Sequence, residues 1–178
     1  MNNRFFMLPY MERDGIRTAA DSTIKALFTR TGEDGLVPVV FYEGTIATAD
    51  AFLSMAKAPG TMFFILMDGT QTIGYTWLNR FENHTARQHF CIFKSYWGNS
   101  LDVGKWCLHE VLHMQDNAGS FVFDLVTGFV PAWNKRAINF VLKCGGQTHG
   151  VIPNAIFNGE TGMSEKAVFI YYTREKEA

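Results

Sequence analysis

The stretch from His89 to Gln115, HFCIFKSYWGNSLDVGKWCLHEVLHMQ, changes its hydrophobic period from two residues to 3.6 across a glycine-containing turn. Period two belongs to a strand and 3.6 to a helix, so here a strand must run through a turn into a helix, about Leu101–Gln115. Asn117-Ala118-Gly119 ends that helix, and Phe121–Thr127 (FVFDLVT) reads as the next, buried strand. A strand–helix–strand unit pairs its strands in parallel, or splays them, with the helix on one face.

The flanking segments extend the same sheet. Thr61–Met67 (TMFFILM) is a buried-strand run, Asp68-Gly69 is a hairpin signal, and Gln71–Phe81 is a second strand with Gly74 as a bulge site. A polar turn, Glu82–Ala86, leads to a third strand, Arg87–Lys94, giving an antiparallel meander. The first sixty residues offer a short strand or arm at Arg4–Leu8, a helix over 19–28 and a loop at Thr29–Leu36. An irregular or edge strand at Val37–Tyr42 (because of Pro38) and a helix capped by Thr48 or Asp50 complete that part. After Pro131 come a helix at Ala132–Cys144, closed by Gly145-Gly146, and strands at Val151–Phe157 and Ala167–Thr173. The charged end, TREKEA, reads as a solvated tail.

With 178 residues, 47% of them hydrophobic, the chain can build one substantial core. The expectation is a single α+β (mixed α/β) domain over 1–178. Its parts are an N-terminal part (1–60), a central strand–turn–helix–strand region (61–128), and a closing helix and hairpin (129–178).

Sixteen basic and seventeen acidic residues leave a net charge of −1, and no basic block stands out, which argues against a phosphate-contacting nucleic-acid surface. No run reaches the ~18 apolar residues of a membrane span. MNNRFFMLPYMERDG is too short and too interrupted by Pro9 for a signal peptide. Cys91, Cys107 and Cys144 sit in apolar contexts without C-x-x-C spacing, as reduced, buried thiols would. Together these features predict a cytoplasmic protein with a small ligand or a protein segment as partner.

Two chemistries can be read from the central stretch. Gly98, Asn99 and Ser100, with Gly104 beyond, can present backbone N–H groups to a phosphate at a helix N-terminus, or simply turn the chain with Ser100 as N-cap. His109-Glu110-Val111-Leu112-His113 matches the H-E-x-x-H pattern of zinc peptidases. A helical wheel puts both histidines amid polar residues, and no third ligand follows at the expected spacing. The favoured reading is therefore a solvated helix face with no metal.

The serial order of parts resembles the GNAT N-acetyltransferase superfamily. FFILMDGTQTIGYTWL resembles its central hairpin, HFCIFKSYWGNS with its helix the part that holds acyl-CoA, and FVFDLV the next, splayed strand. NKRAINFVLKCGG, with Asn134, Ala137, Lys143 and Gly145, is similar to the family's N-x-x-A-x-x-x-x-x-K-x-G helix. The Trp97-Gly98 turn is nearest to the branch that acetylates ribosomal-protein N-termini.

The resemblance implies acetyl-CoA as co-substrate and an amine acceptor that attacks directly. Backbone groups of Ile92, Phe93 and Lys94 would meet the pantetheine arm. Gly98, Asn99, Ser100, Gly104 and Lys105 would hold the pyrophosphate, and Asn134 would reach the pantetheine or cap its helix. Asn99-Ser100-Leu101-Asp102 stands where the family has glycines, and Val141 stands where much of it has a general-acid Tyr. Asp124, His89 and Glu82 are the acid–base candidates, with His84 beside them. Asp124 leads, because a carboxylate within FVFDLV needs a partner if buried. The competing functions are a GNAT-like protein that binds CoA or a partner without catalysis, and a small zinc peptidase. The acceptor is not readable, and a homodimer is compatible with the sequence.

Overall fold

The computed structural model describes residues 4–174, with Arg13 described by its backbone alone; the rest of the charged tail lies outside the described residues. The strands are β1 (Phe5–Tyr10), β2 (Glu12–Arg13), β3 (Ile16–Arg17), β4 (Met62–Asp68), β5 (Gln71–Glu82), β6 (Thr85–Ile92), β7 (Leu125–Pro131), β8 (Gln147–Asn158) and β9 (Met163–Thr173). The helices are α1 (Asp21–Glu33), α2 (Val37–Val40), α3 (Ala49–Ala56), α4 (Ser100–Leu112) and α5 (Lys135–Lys143). A 3-10 helix, Lys94–Asn99, joins β6 to α4. No described helix is long and apolar enough to cross a membrane.

Seven strands form one sheet in the order β1-β4-β5-β6-β7-β9-β8, and every neighbouring pair except β6–β7 is antiparallel. The meander of β4, β5 and β6 follows the alternation in the sequence. Its bulge lies where Leu66 pairs with Gly74 but Met67 with Thr72. A Cβ at Gly74 would stand 2.2 Å from the Cys91 carbonyl oxygen, so only glycine fits this approach.

The two faces are covered differently. Helices α1, α2 and α3 bury Ile24, Leu27, Leu36 and Phe52 against Phe63, Ile65, Tyr75 and Trp77. Helix α4 buries Val103, Cys107, Val111 and Leu112 against Leu66, Ile73, Leu78 and Ile92 on the other face. Each such aliphatic or aromatic side chain contributes about 1.5–3 kcal/mol. Alternation along β6 therefore sends Arg87, His89 and Cys91 towards the α1–α3 face, and Gln88, Phe90 and Ile92 towards α4 and α5.

Several boundaries differ from the sequence expectation. Thr29–Leu36 is mostly helix, because α1 continues through Gly32 to Glu33 and buries Thr31, whose hydroxyl lies 2.9 Å from that of Tyr75. Val37–Val40 is a short helix, with Pro38 in its first turn where a missing N–H costs nothing. The strand expected at Phe121–Thr127 starts at Leu125, because residues 121–124 cross the sheet end irregularly. Thr48 caps α3 as expected, accepting from the Ala51 N–H at 3.1 Å.

Two close approaches shape the remainder. A Cβ at Gly104 would lie 2.6 Å from both Cys144 Sγ and Phe140 Cζ, so Gly104 lets α4 and α5 pack closely. Gly104→Val is expected to cost about 1–3 kcal/mol through overpacking. Gly98→Ala, with nothing within 4 Å of its Cβ, should be nearly neutral. Urea unfolding midpoints of the two variants check this. At the far edge, the β8–β9 turn meets the loop after α2: Gly159 N–H donates to the Tyr42 carbonyl at 2.8 Å, and a Gly159 Cβ would stand 2.7 Å from the Glu43 carbonyl oxygen.

Candidate active site

Strands β6 and β7 pair at only three positions, Thr85–Leu125, Ala86–Val126 and Arg87–Thr127. Beyond Arg87 and Thr127 they diverge: β6 continues beside β5 to Ile92, and β7 beside β9 to Pro131. A wedge opens in the middle of the sheet. It holds a cavity of about 780 Å³, lined on one side by Val103, Gly104, Cys107 and Phe140 and on the other by Leu36, Val40, Tyr42 and Trp77. The cavity thus joins the two faces of the sheet.

Backbone polarity along the wedge follows from the antiparallel ladder. Phe93 N–H donates to the Ile73 carbonyl at 3.0 Å, so odd-numbered residues of β6 face β5. Gln88, Phe90 and Ile92 then turn their amide groups into the wedge. This corrects part of the expected pantetheine contact. Ile92 lines the cavity, but the Phe93 amide is used by β5 and the Lys94 amide donates to Asp34 Oδ2 at 2.8 Å. The Ile92 carbonyl already accepts from Trp97 Nε1 at 3.0 Å.

The expected phosphate turn is also different. It is wound as a 3-10 helix that runs directly into α4, and Ser100 is not its cap: its hydroxyl donates to the Trp97 carbonyl at 2.7 Å. Asn99 holds the N-cap position without a side-chain bond. Ser100 and Gly104 line the cavity; Gly98, Asn99 and Lys105 lie outside its lining. Positive charge gathers at this end instead. The Arg136 guanidinium lies 4.6 Å from the Trp97 ring centroid and Lys94 Nζ 5.8 Å from it, while Lys135 and Arg136 are among the residues that line the cavity. Asn134 lines the cavity and also caps α5, its Oδ1 accepting from Ala137 N–H at 3.0 Å.

Of the acid–base candidates, only His89 reaches the cavity. Its ring stacks on Trp77, centroids 4.6 Å apart, with Nε2 3.2 Å from Asn79 Oδ1. Desolvation, and then the charges of Arg87 and Arg80, push its pKa down to about 3. The folded chain therefore lacks, between pH about 6.5 and 3, a proton that the unfolded chain binds. Stability is full above that window and falls as pH drops through it. His89→Gln should flatten this acid slope, read as the difference in urea stability between pH about 7.5 and 5.

Asp124 does not occupy the cleft. Its carboxylate is exposed and pairs with Arg174 at 2.6 Å, and the same guanidinium also donates to the carbonyls of Leu112 and Phe123. The late start of β7 carries Asp124 to the closed end of the sheet. Glu82 and His84 are exposed in the β5–β6 hairpin, with His84 Nδ1 3.2 Å from the Val122 carbonyl oxygen.

Two side chains at the site gave no sequence signal. Tyr172 of β9 sits opposite Val126, at the apex of the wedge, and lines the cavity. Its hydroxyl donates to the carbonyl of Val141 at 3.1 Å, and burial raises its pKa above the usual phenol value. Gly146 makes room for its ring, since a Cβ there would come within 2.8 Å of Tyr172 Cζ. Arg87 is the other. The three thiols are buried and free, and desolvation raises all three: Cys91 and Cys144 to about 11, Cys107 to about 12.

On the solvent side of α4, the His109 and His113 rings stack 4.0 Å apart, and His113 Nδ1 lies 2.8 Å from the His109 carbonyl oxygen. Among the described residues, no group of three or more His, Cys, Asp or Glu is arranged to hold a metal.

No family model and no curated protein matches the sequence. Solved structures do match the backbone. Spermidine N-acetyltransferase from Vibrio cholerae, in complex with CoA and spermine, aligns with a TM-score of 0.66 at 14% identity, covering 97% of this chain and 96% of that one. Microcin C7 self-immunity acetyltransferase MccE, in complex with acetyl-CoA and AMP, aligns with a TM-score of 0.66 at 14% identity over 97% and 94% of the chains. The chain has the GNAT acetyltransferase fold. A dodecameric structure of the Vibrio cholerae enzyme, in an intermediate state, aligns with a TM-score of 0.62 at 10% identity over 97% and 95%. Within this fold the wedge lies between β6 and β7, the segment from Lys94 to Leu112 follows β6, and Tyr172 is joined to Val141 by its hydroxyl hydrogen bond.

Proposed function

We propose that the protein is an N-acetyltransferase that moves an acetyl group from acetyl-CoA to an amine within the β6–β7 wedge. The observation that carries this reading is the wedge itself, a cavity joining both faces of the sheet with strand amides turned into it and cations in its lining. The residues present fit the donor. Gln88, Phe90 and Ile92 offer strand-like backbone contacts to an amide-bearing arm, and Asn134 stands at the same wall. Arg136, Lys135 and Lys94 supply, by side-chain charge, what a glycine-rich amide nest supplies elsewhere for a pyrophosphate.

The acetyl thioester is the activated group that the co-substrate brings. The amine nitrogen bonds to its carbonyl carbon, the carbon–sulfur bond breaks, the amine loses a proton and the thiolate gains one. The wedge-facing amides of β6 can donate to the oxygen where charge develops. His89, neutral and weakly basic, orients rather than abstracts. The largely apolar wedge biases the acceptor towards its free-base form, because desolvation disfavours an ammonium. Tyr172 holds its proton at neutral pH and stands at the apex, and we assign it as proton donor to the leaving thiolate. The buried, protonated cysteines take no part.

A cytoplasmic setting fits the three free thiols. Self-association, as a homodimer in the first instance, would cover Val151, Ile152 and Phe157, which are exposed on edge strand β8. The direct test is calorimetric titration with acetyl-CoA, followed by thiol release in the presence of an amine panel. Micromolar-range binding with turnover supports the reading. Binding without turnover of any amine favours the non-catalytic alternative, and no binding overturns both.

A further inference from the structure

We propose that the acceptor is an amine that also carries an oxyanion, a carboxylate or a phosphate, and that Arg87 binds this oxyanion; the inference rests on the acetyltransferase reading for the fate of the amine. Arg87 is the last residue of β6 paired with β7, so it stands where the wedge opens, on the α1–α3 face. Its Nε is buried and has no hydrogen-bond partner. The guanidinium lies 4.5 Å from the ring centroid of Phe129, which lines the cavity, and its charge is felt by the cavity residues Tyr42 and His89.

No carboxylate answers this charge at close range among the described residues. Glu43 is exposed and acts on Arg87 only through its field. Glu165, on the neighbouring hairpin, is occupied: it accepts from Trp133 Nε1 at 2.9 Å, Asn158 Nδ2 at 2.9 Å and the Thr161 hydroxyl at 3.2 Å. Arg80 adds a second positive charge on the same side, while desolvation opposes the charged form of Arg87. A partly buried guanidinium with an unpaired N–H is costly in isolation and well used when an oxyanion arrives, because charge-assisted, forked hydrogen bonds are the strong ones.

The cavity wall makes the same selection from the other side. Among the described residues no Asp or Glu lines the cavity, so a polycationic amine would meet no counter-charge from them. Leu36, Val39, Val40, Trp77 and Trp133 offer an apolar wall instead. The acceptor that fits combines one amine, one oxyanion and an apolar body, and differs in charge from the spermine bound to the Vibrio cholerae enzyme.

Matched pairs of amines test this on the full chain. Phenylalanine against phenethylamine reads a carboxylate, and O-phosphoethanolamine against ethanolamine reads a phosphate, with spermidine as the polycation. In at least one pair the anionic member should exceed its neutral partner by about 10- to 100-fold in kcat/KM, the range expected of a hydrogen-bonded charge pair. Arg87→Gln should bring that ratio to near unity with the KM for acetyl-CoA unchanged, and Arg87→Lys should keep part of it. Since Arg87→Gln removes an unpaired charge, the ligand-free variant should melt no lower than the parent. Equal rates within both pairs, a preference for spermidine, or a ratio that survives Arg87→Gln would overturn the proposal. Failure of the acetyltransferase reading shows separately, as absence of acetyl-CoA binding. The oxyanion site is then read by calorimetry with N-acetylphenylalanine against N-acetylphenethylamine, and equal affinities there refute it.

Discussion

Gly128→Phe is expected to abolish acetyl-CoA binding while leaving the protein folded. Gly128 lies on β7 just past the last β6–β7 pair and lines the cavity. It shares its strand face with buried Val126, so a side chain there enters the half of the wedge under α4 and α5. The nearest atom to a Cβ at this position is the Gln88 carbonyl oxygen at 3.8 Å, and its φ lies outside the left-handed region. The backbone therefore tolerates a side chain, and the ring occupies space that a pantetheine arm needs. Affinity should fall at least 100-fold, with a urea midpoint close to that of the parent. Retained micromolar binding in a folded Gly128→Phe would place the cofactor elsewhere.

The second large effect is on turnover. Tyr172→Phe is expected to lower kcat by about 10²- to 10⁴-fold, the usual worth of a positioned proton donor, with little change in the KM for acetyl-CoA. The phenol is suited to this role because burial keeps it protonated, and because its present partner, the Val141 carbonyl, is neutral. A thiolate formed nearby is a stronger acceptor for the same proton. Loss of the Val141 bond costs about 1 kcal/mol of stability, too little to account for a hundredfold loss of rate in a folded enzyme. A variant with unchanged kcat would remove Tyr172 from the reaction.

Much of the architecture was legible because local signals agreed with the global arrangement. The meander, its Asp68-Gly69 hairpin turn, the change of period after His89 and the parallel return to β7 all follow from spacing and turn residues. The misreadings have physical causes. Gly32 suggested a break, but tertiary packing of Thr31 and Leu27 carries α1 across it. Gly98 and Gly104 looked alike as phosphate-turn glycines. One sits in open space and the other at a helix–helix contact, a distinction made only by residues 36 to 40 positions away.

The candidate site was less legible than the fold. Asp124 is a carboxylate within an apolar run, but its partner, Arg174, is 50 residues away and holds it outside the cleft. Arg87 and Tyr172 carry no local pattern at all. Their placement depends on where two strands stop pairing and on a hairpin that returns from the end of the chain.

The contact between Gly159 and the Tyr42–Gly44 loop has a mechanical consequence. A sheet split along its middle behaves as two leaves joined at a short seam, and three residue pairs would let the leaves flap. The Gly159–Tyr42 hydrogen bond ties the β8–β9 leaf to the helical layer of the opposite leaf, like the crossbar of an A-frame. The opening angle is thereby set at two separated points before any ligand arrives. Binding then spends little free energy on ordering the protein, which is how a pre-organised cleft gains affinity. A side chain at position 159 would push the crossbar off its seat and show itself first as faster hydrogen exchange along β7 and β9.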